Sequence, residues 1–237
     1  MANKLPIAKE GWPFIAIPGA LALGLALLGH RRLALPFATA AAASAGFFRD
    51  PERAIPIVAN GVLSPADGRV ISVDDAVDPF VGSSVRVAVF LSPLDVHVNR
   101  APIAGRVTLR RHFPGRFGSL RRPEMVFENE RATTVIEREE PATGQVLQVA
   151  VVQIASRLVR QIASFVEEGQ QVALGQRIGV IRLGSQVDLV LPARDDLRVL
   201  VRPGQHLTAG ESVVAMLEPL GAALAEGEGA AALQVGA

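Results

Sequence analysis

The sequence predicts an α+β chain that is mainly β. A barrel-sandwich-like β body over residues 54–220 follows an N-terminal hydrophobic helical membrane segment over 1–53 and precedes a flexible tail over 221–237. Three observations predict this. From Ala54 onward the chain breaks into short β-branched runs punctuated by glycine and proline, the spacing of strands and turns rather than long helices. Residues 201–213 read V-x-P-G-x-x-L-x-A-G-E-x-V, a β-turn-β rhythm also found in barrel-sandwich carrier domains. Trp12 to Gly29 is apolar and carries no charge, and at about 1.5 Å per residue it reaches close to the hydrocarbon thickness of a bilayer.

In the N-terminal segment, Pro13 suits a first helical turn, whereas Pro18 is expected to kink or break the run. His30-Arg31-Arg32 interrupts, and a second, alanine-rich run from Leu33 ends at Phe47-Phe48. Small residues from Ala40 to Ala45 would suit a signal-peptide cleavage site, but the arginines ahead of them disfavour one. Cations stand at every boundary, so the positive-inside rule discriminates little; a hairpin with both ends cytoplasmic is preferred over a re-entrant or interfacial segment.

Composition removes whole classes of function. A net charge of +1 argues against nucleic-acid binding. With no cysteine there is no disulfide, thiolate nucleophile or Cys-ligated metal, and the four histidines, His30, His97, His112 and His206, lack metal-ligand spacing, so no metal is expected. Lys4 and Lys9 are the only lysines, both ahead of the first apolar run. A covalently bound pyridoxal phosphate, lipoate or biotin needs a lysine within the folded body, so any Schiff-base chemistry requires a carbonyl from the protein itself.

Within the body, Ser64-Pro65-Ala66-Asp67-Gly68 reads as a turn, then Arg69 to Val73 and Val85 to Leu91 as strands. His97 follows the second strand through Ser92-Pro93, and a lone histidine is ordinarily structural. Arg110-Arg111 and Arg121-Arg122 bracket a predicted loop, His112 to Leu120, suited to anionic lipid, a phosphate or plain solvation. Thr133 to Glu137 and Gln145 to Ile154 read as strands around a Pro141 to Gly144 turn, and Ser156 to Val166 as a short amphipathic helix.

The chain is organised around Gly184-Ser185, set between the apolar runs Val180-Ile181 and Val187 to Leu191, where strand propensity calls for neither residue. Glycine leaves its carbonyl unobstructed, so the Ser185 hydroxyl can attack it; the bland alternative is a bulge or hairpin. Gly118-Ser119 repeats the dipeptide in loop composition, without flanking strands.

Five stretches in order, F-F-R-D-P-E-R at 47–53, S-P-A-D-G at 64–68, F-L-S-P-L-D-V-H-V-N-R-A-P at 90–102, E-N-E-R at 128–131 and G-V-I-R-L-G-S-Q-V-D at 179–188, resemble the phosphatidylserine decarboxylase proenzymes in their short bacterial and archaeal form. The resemblance implies a carboxy-lyase that cleaves itself between Gly184 and Ser185 and converts Ser185 into a covalent pyruvoyl cofactor. Chains 1–184 and 185–237 would remain together as a heterodimer, with higher oligomers left open. The substrate implied is phosphatidylserine in an anionic membrane, bound as an imine through its amine and released as phosphatidylethanolamine after loss of CO₂. The place implied is the cytoplasmic side of the cell membrane. His97 is the expected base and proton donor, with Asp67 orienting it. Two positions depart from longer relatives: Arg100 stands where they carry a second histidine, and Gln186 where they carry threonine or serine. Two competing readings are a non-catalytic, membrane-tethered β-barrel-sandwich binding module and the same chemistry on an archaeal-type serine ether lipid.

Overall fold

The computed structural model describes residues 6–58, 60–119, 125–140, 144–156, 162–181 and 185–218. Helices α1 (Trp12–Leu27) and α2 (Arg31–Phe47) form a hairpin, turned at Gly29 with φ +82°. Pro18, expected to kink or break the run, lies inside α1 without ending it: a proline deletes one hydrogen bond of the ladder, and the helix continues past it. Pro36 is carried through α2 in the same way. Lys9–Leu27 is long and apolar enough to cross a membrane by length and composition, and Ile17, Leu23, Leu27, Leu28 and Leu35 are exposed along the hairpin.

The body then runs β1 (Gly61–Leu63), β2 (Gly68–Asp78), β3 (Gly82–Leu91), β4 (Val98–Arg100), β5 (Gly105–Phe113), the single-turn α3 (Met125–Glu128), β6 (Arg131–Glu139) and β7 (Val146–Ile154). It continues with β8 (Ile162–Ser164), β9 (Gln171–Val172), β10 (Arg177–Ile181), β11 (Ser185–Pro192), β12 (Leu197–Val199), β13 (His206–Leu207) and β14 (Val213–Leu217). An eight-stranded sheet, ordered β13-β2-β3-β11-β7-β6-β5-β9, curls into a half-barrel. Two three-stranded sheets, β1-β14-β12 and β4-β10-β8, share its main core, which joins Val62, Leu91, Val151, Ile181, Val187 and Val214. The mainly β, barrel-sandwich-like expectation therefore holds.

Strand β11 is central, paired antiparallel with β3 on one side and β7 on the other. Val187, Leu189 and Leu191 alternate into the main core, where full burial of each contributes about 1.5–3 kcal/mol. Gln186, Asp188 and Val190 are buried on the opposite face, so the strand is covered on both sides. Two expectations need correction. The amphipathic helix predicted over 156–166 is strand at Ile162–Ser164, because pairing with Gly179, Val180 and Ile181 satisfies its backbone; residues 157–161 lie outside the described set. His112 and Phe113, expected to open a loop, instead close β5, paired with Ala132 and Arg131, so the bracketing Arg110 and Arg111 lie on that strand; the loop begins at Pro114, and Leu120 to Arg122 lie outside the described residues. The tail over 221–237 and most of the turn over 141–144 also lie outside them.

Asp188 has a consequence for stability. Burial pushes its carboxyl up to about 6, against a hydrogen bond from Gln186 Nε2 at 2.7 Å and the opposing charge of Arg86. The folded state holds the proton to higher pH than the unfolded state, so stability falls as pH rises through this interval and stays lower above it. Asp188→Asn is expected to raise the unfolding midpoint at pH 8, on the order of 2–3 kcal/mol of added stability, with the gain vanishing by pH 4. Thermal unfolding of both proteins at the two pH values checks this.

Candidate active site

The end of β10 and the start of β11 belong to different sheets, so the chain crosses from one to the other between Ile181 and Ser185. Gly184 lies outside the described residues, and Ser185 is described by its backbone. Both ends of the crossing are fastened to the stretch that carries His97. Ser185 pairs with Leu91, the last residue of β3, and the Ile181 N–H donates to the His97 carbonyl at 3.1 Å. The crossing and the histidine thus share one scaffold, although His97 and Ser185 are 88 positions apart in the sequence (185 − 97 = 88).

The segment from Ser92 to His97 is a rigid turn. The Ser92 N–H donates to Asp95 Oδ2 at 2.7 Å and the Asp95 N–H returns to the Ser92 carbonyl at 3.0 Å. His97 is 1% exposed, and its Nδ1 lies 2.8 Å from the Asp95 carbonyl oxygen. A carbonyl only accepts, so Nδ1 carries the proton and Nε2 is the basic nitrogen of the neutral ring. Burial pushes the imidazole below its ordinary 6.5; the hydrogen bond to Asp95 and the charges of Asp95 and Asp67 act upward, and that of Arg49 downward.

Asp67 precedes Gly68, whose φ is +143° and whose missing Cβ would sit 2.3 Å from the Phe90 carbonyl oxygen. Only glycine permits that approach, which sets Asp67 beside the end of β3. Asp67 Oδ1 accepts from the Ala209 N–H and Oδ2 from Arg53 Nη2, each at 2.7 Å. Its hydrogen bonds therefore run to Arg53 and Ala209, and it reaches His97 through charge, whereas the hydrogen bond that orients the ring comes from the Asp95 carbonyl.

Residues 47–53 supply contacts that sequence reasoning had not assigned. The Phe47 ring lies against His97 with centroids 4.3 Å apart, and Arg49 donates to the Leu94 carbonyl. Asp50 forms ion pairs with Arg177 at 2.6 Å and Arg100 at 3.5 Å, and Arg53 holds Asp67. The signal for these roles was present in the motif, but charge and aromatic identity alone do not reveal partners up to 127 positions away (177 − 50 = 127). Arg100, which stands where longer relatives carry a second histidine, is 5% exposed and donates to the Gly175 and Pro51 carbonyls, each at 3.0 Å. It is a buried clamp.

The E-N-E-R stretch staples a neighbouring loop. Asn129 Nδ2 donates to the carbonyls of Ala155, just past β7, and Gly118, and its Oδ1 accepts from the Gly118 N–H. That holds Gly118-Ser119 in a loop, as its composition indicated. Arg111 lines a groove of about 580 Å³ on the second face of the large sheet, together with Arg86, Phe113, Arg131 and Asp188. His97 is not among the described residues that line that groove.

Fold and site together define a β-built enzyme body to which an apolar helical hairpin is fastened at the site itself. A sequence model of the family described as phosphatidylserine decarboxylase matches residues 41–215. Relatives named phosphatidylserine decarboxylase proenzyme include one from Burkholderia pseudomallei (strain K96243), 41% identical over 212 residues covering 89% of this chain and 95% of the relative. Another, from Geotalea uraniireducens (strain Rf4), is 38% identical over 219 residues covering 92% of this chain and all of the relative. The chain belongs to the phosphatidylserine decarboxylase family, and it is accordingly a carboxy-lyase.

Proposed function

We propose that this chain is a self-processing, pyruvoyl-dependent decarboxylase that converts phosphatidylserine to phosphatidylethanolamine and CO₂. The observation that carries the reading is the shared scaffold: the strand led by Ser185 and the buried His97 are fastened to the same segment. The setting suits a group made from the backbone. Ser185 begins a strand paired with Leu91, the body holds no lysine, and His97 offers Nε2 as a buried base.

In self-cleavage, His97 Nε2 takes the hydroxyl proton of Ser185 as its oxygen attacks the Gly184 carbonyl, and the Gly184–Ser185 amide becomes an ester. Loss of the Ser185 α-proton then breaks the Cβ–O bond, leaving Gly184 with a carboxylate. One water enters and one ammonia leaves as the new N-terminus becomes pyruvoyl. That group supplies a carbonyl for the substrate amine and a sink for the electron pair left as CO₂ departs. His97 returns a proton to the substrate carbon. Asp67, braced by Arg53 and the Ala209 N–H, stabilises the imidazolium through its charge. Chains 1–184 and 185–237 stay together, since β11 of the second is enclosed by β3 and β7 of the first. The hairpin holds the enzyme on the cytoplasmic face of the anionic membrane that contains its substrate.

Intact-mass analysis of the purified protein tests this reading. The expected result is a chain 1–184 and a fragment 185–237 lighter by one ammonia than simple hydrolysis would give, with a blocked N-terminus. A folded protein that stays whole overturns it.

A further inference from the structure

Four rings lead from the apolar hairpin to the buried histidine. Phe14 of α1 stacks on Phe48 at 5.4 Å between centroids, Phe48 meets Phe47 edge-on at 5.0 Å, and Phe47, the last residue of α2, lies tilted on His97 at 4.3 Å. Phe14 is 47% exposed on the surface of the hairpin, while Phe47 is 9% and His97 1% exposed. The row therefore passes from the outside of the membrane-seeking element to the inside of the site.

The backbone fixes the inner end of this row. The Ala8 N–H donates to the Phe48 carbonyl and the Asp50 N–H to the Pro6 carbonyl, each at 2.8 Å, which pins the chain on both sides of Arg49. Arg49 ties the hairpin's base to the Leu94 carbonyl in the turn that presents His97. A Cβ on Gly11 would fall 2.4 Å from the Phe48 Cβ, so the residue that precedes α1 is seated directly on Phe48. Aromatic rings in such contact prefer defined tilted or offset geometries, so moving one disturbs the next.

We infer that Phe47 is a positioning residue for His97: its ring closes the imidazole off from water and fixes its tilt, and Phe48 and Phe14 make the lipid-facing hairpin part of the same mechanical unit. The hairpin then shapes the site as well as tethering it. This inference rests on the reading of His97 as the acid–base group. The charged groups that act on the ring are Asp95 and Asp67, which favour its protonation, and Arg49, which opposes it. None of these is altered by replacing Phe47, so water access is the variable that such a replacement isolates.

The test is an NMR titration of the histidine ring protons in the full-length Ser185→Ala chain in detergent micelles, with His97 assigned by His97→Gln. Adding Phe47→Leu, which keeps apolar volume but removes the ring, is expected to raise the His97 midpoint by about half a unit or more toward its ordinary value. Phe47→Ala should raise it further. Should Phe47→Ala fail to fold, Phe47→Leu decides. A His97 midpoint that stays in place or falls overturns the inference, as does a joint movement of all the histidines, which would mean general loosening. Normal cleavage and turnover by His97→Gln would instead overturn the catalytic reading and leave this titration standing, because it is measured on a chain that neither cleaves nor turns over.

Discussion

Ser185→Ala is expected to remain a single chain of 237 residues on intact-mass analysis and to lose phosphatidylserine decarboxylation by about 10³-fold or more. The alanine removes the hydroxyl that attacks Gly184 and whose oxygen departs with the Gly184 carboxylate, so no elimination can generate the carbonyl group, and processing and turnover disappear together. The fold should survive. Position 185 opens a strand whose backbone pairing with Leu91 does not involve the side chain, and β11 retains both of its neighbours. A circular-dichroism spectrum like that of the parent separates loss of chemistry from loss of structure. If the variant still splits at residue 184, Ser185 is not the nucleophile.

The second large effect is at His97. Replacing it with alanine is expected to slow both self-cleavage and turnover by about 10²–10⁴-fold, the span usual for removing a positioned general acid or base. Arg100, which stands where longer relatives carry a second histidine, cannot share the work: it is always protonated and is committed to the Gly175 and Pro51 carbonyls. Because burial holds the His97 imidazole below its ordinary 6.5, the neutral form that accepts the serine proton persists to more acidic pH. Self-cleavage of the unsubstituted chain should thus hold its rate as pH falls through 6.5 and decline only below it, as followed by gel densitometry. A His97→Ala protein that cleaves and turns over normally would remove this residue from the mechanism.

Much of the fold was legible because its signals are local. Glycine and proline punctuation marked the turns around Pro203-Gly204 and Ala209-Gly210, and β-branched runs marked β3, β7 and β11. Where the reading failed, a longer-range interaction prevailed. Residues 156–166 have helical periodicity, yet at 162–164 the backbone is used in pairing with β10, a partner that the segment's own sequence does not reveal. Pro18 looked like a break, but a helix can lose one hydrogen bond and continue. Sequence position alone does not reveal that Arg100 is buried beside Asp50.

By itself the sequence determined the family, the Gly184-Ser185 dipeptide between apolar runs, and the apolar hairpin, because each is a pattern of neighbouring residues. The tertiary structure alone decided what touches what. The Asp95 carbonyl orients the His97 ring, Arg53 and the Ala209 N–H brace Asp67, and Phe47 brings the hairpin against the site. The physical reason is that these contacts join residues far apart in the chain. Such contacts exist only after three sheets have closed on one core, and burial gives His97 and Asp188 proton affinities that no local stretch of sequence encodes.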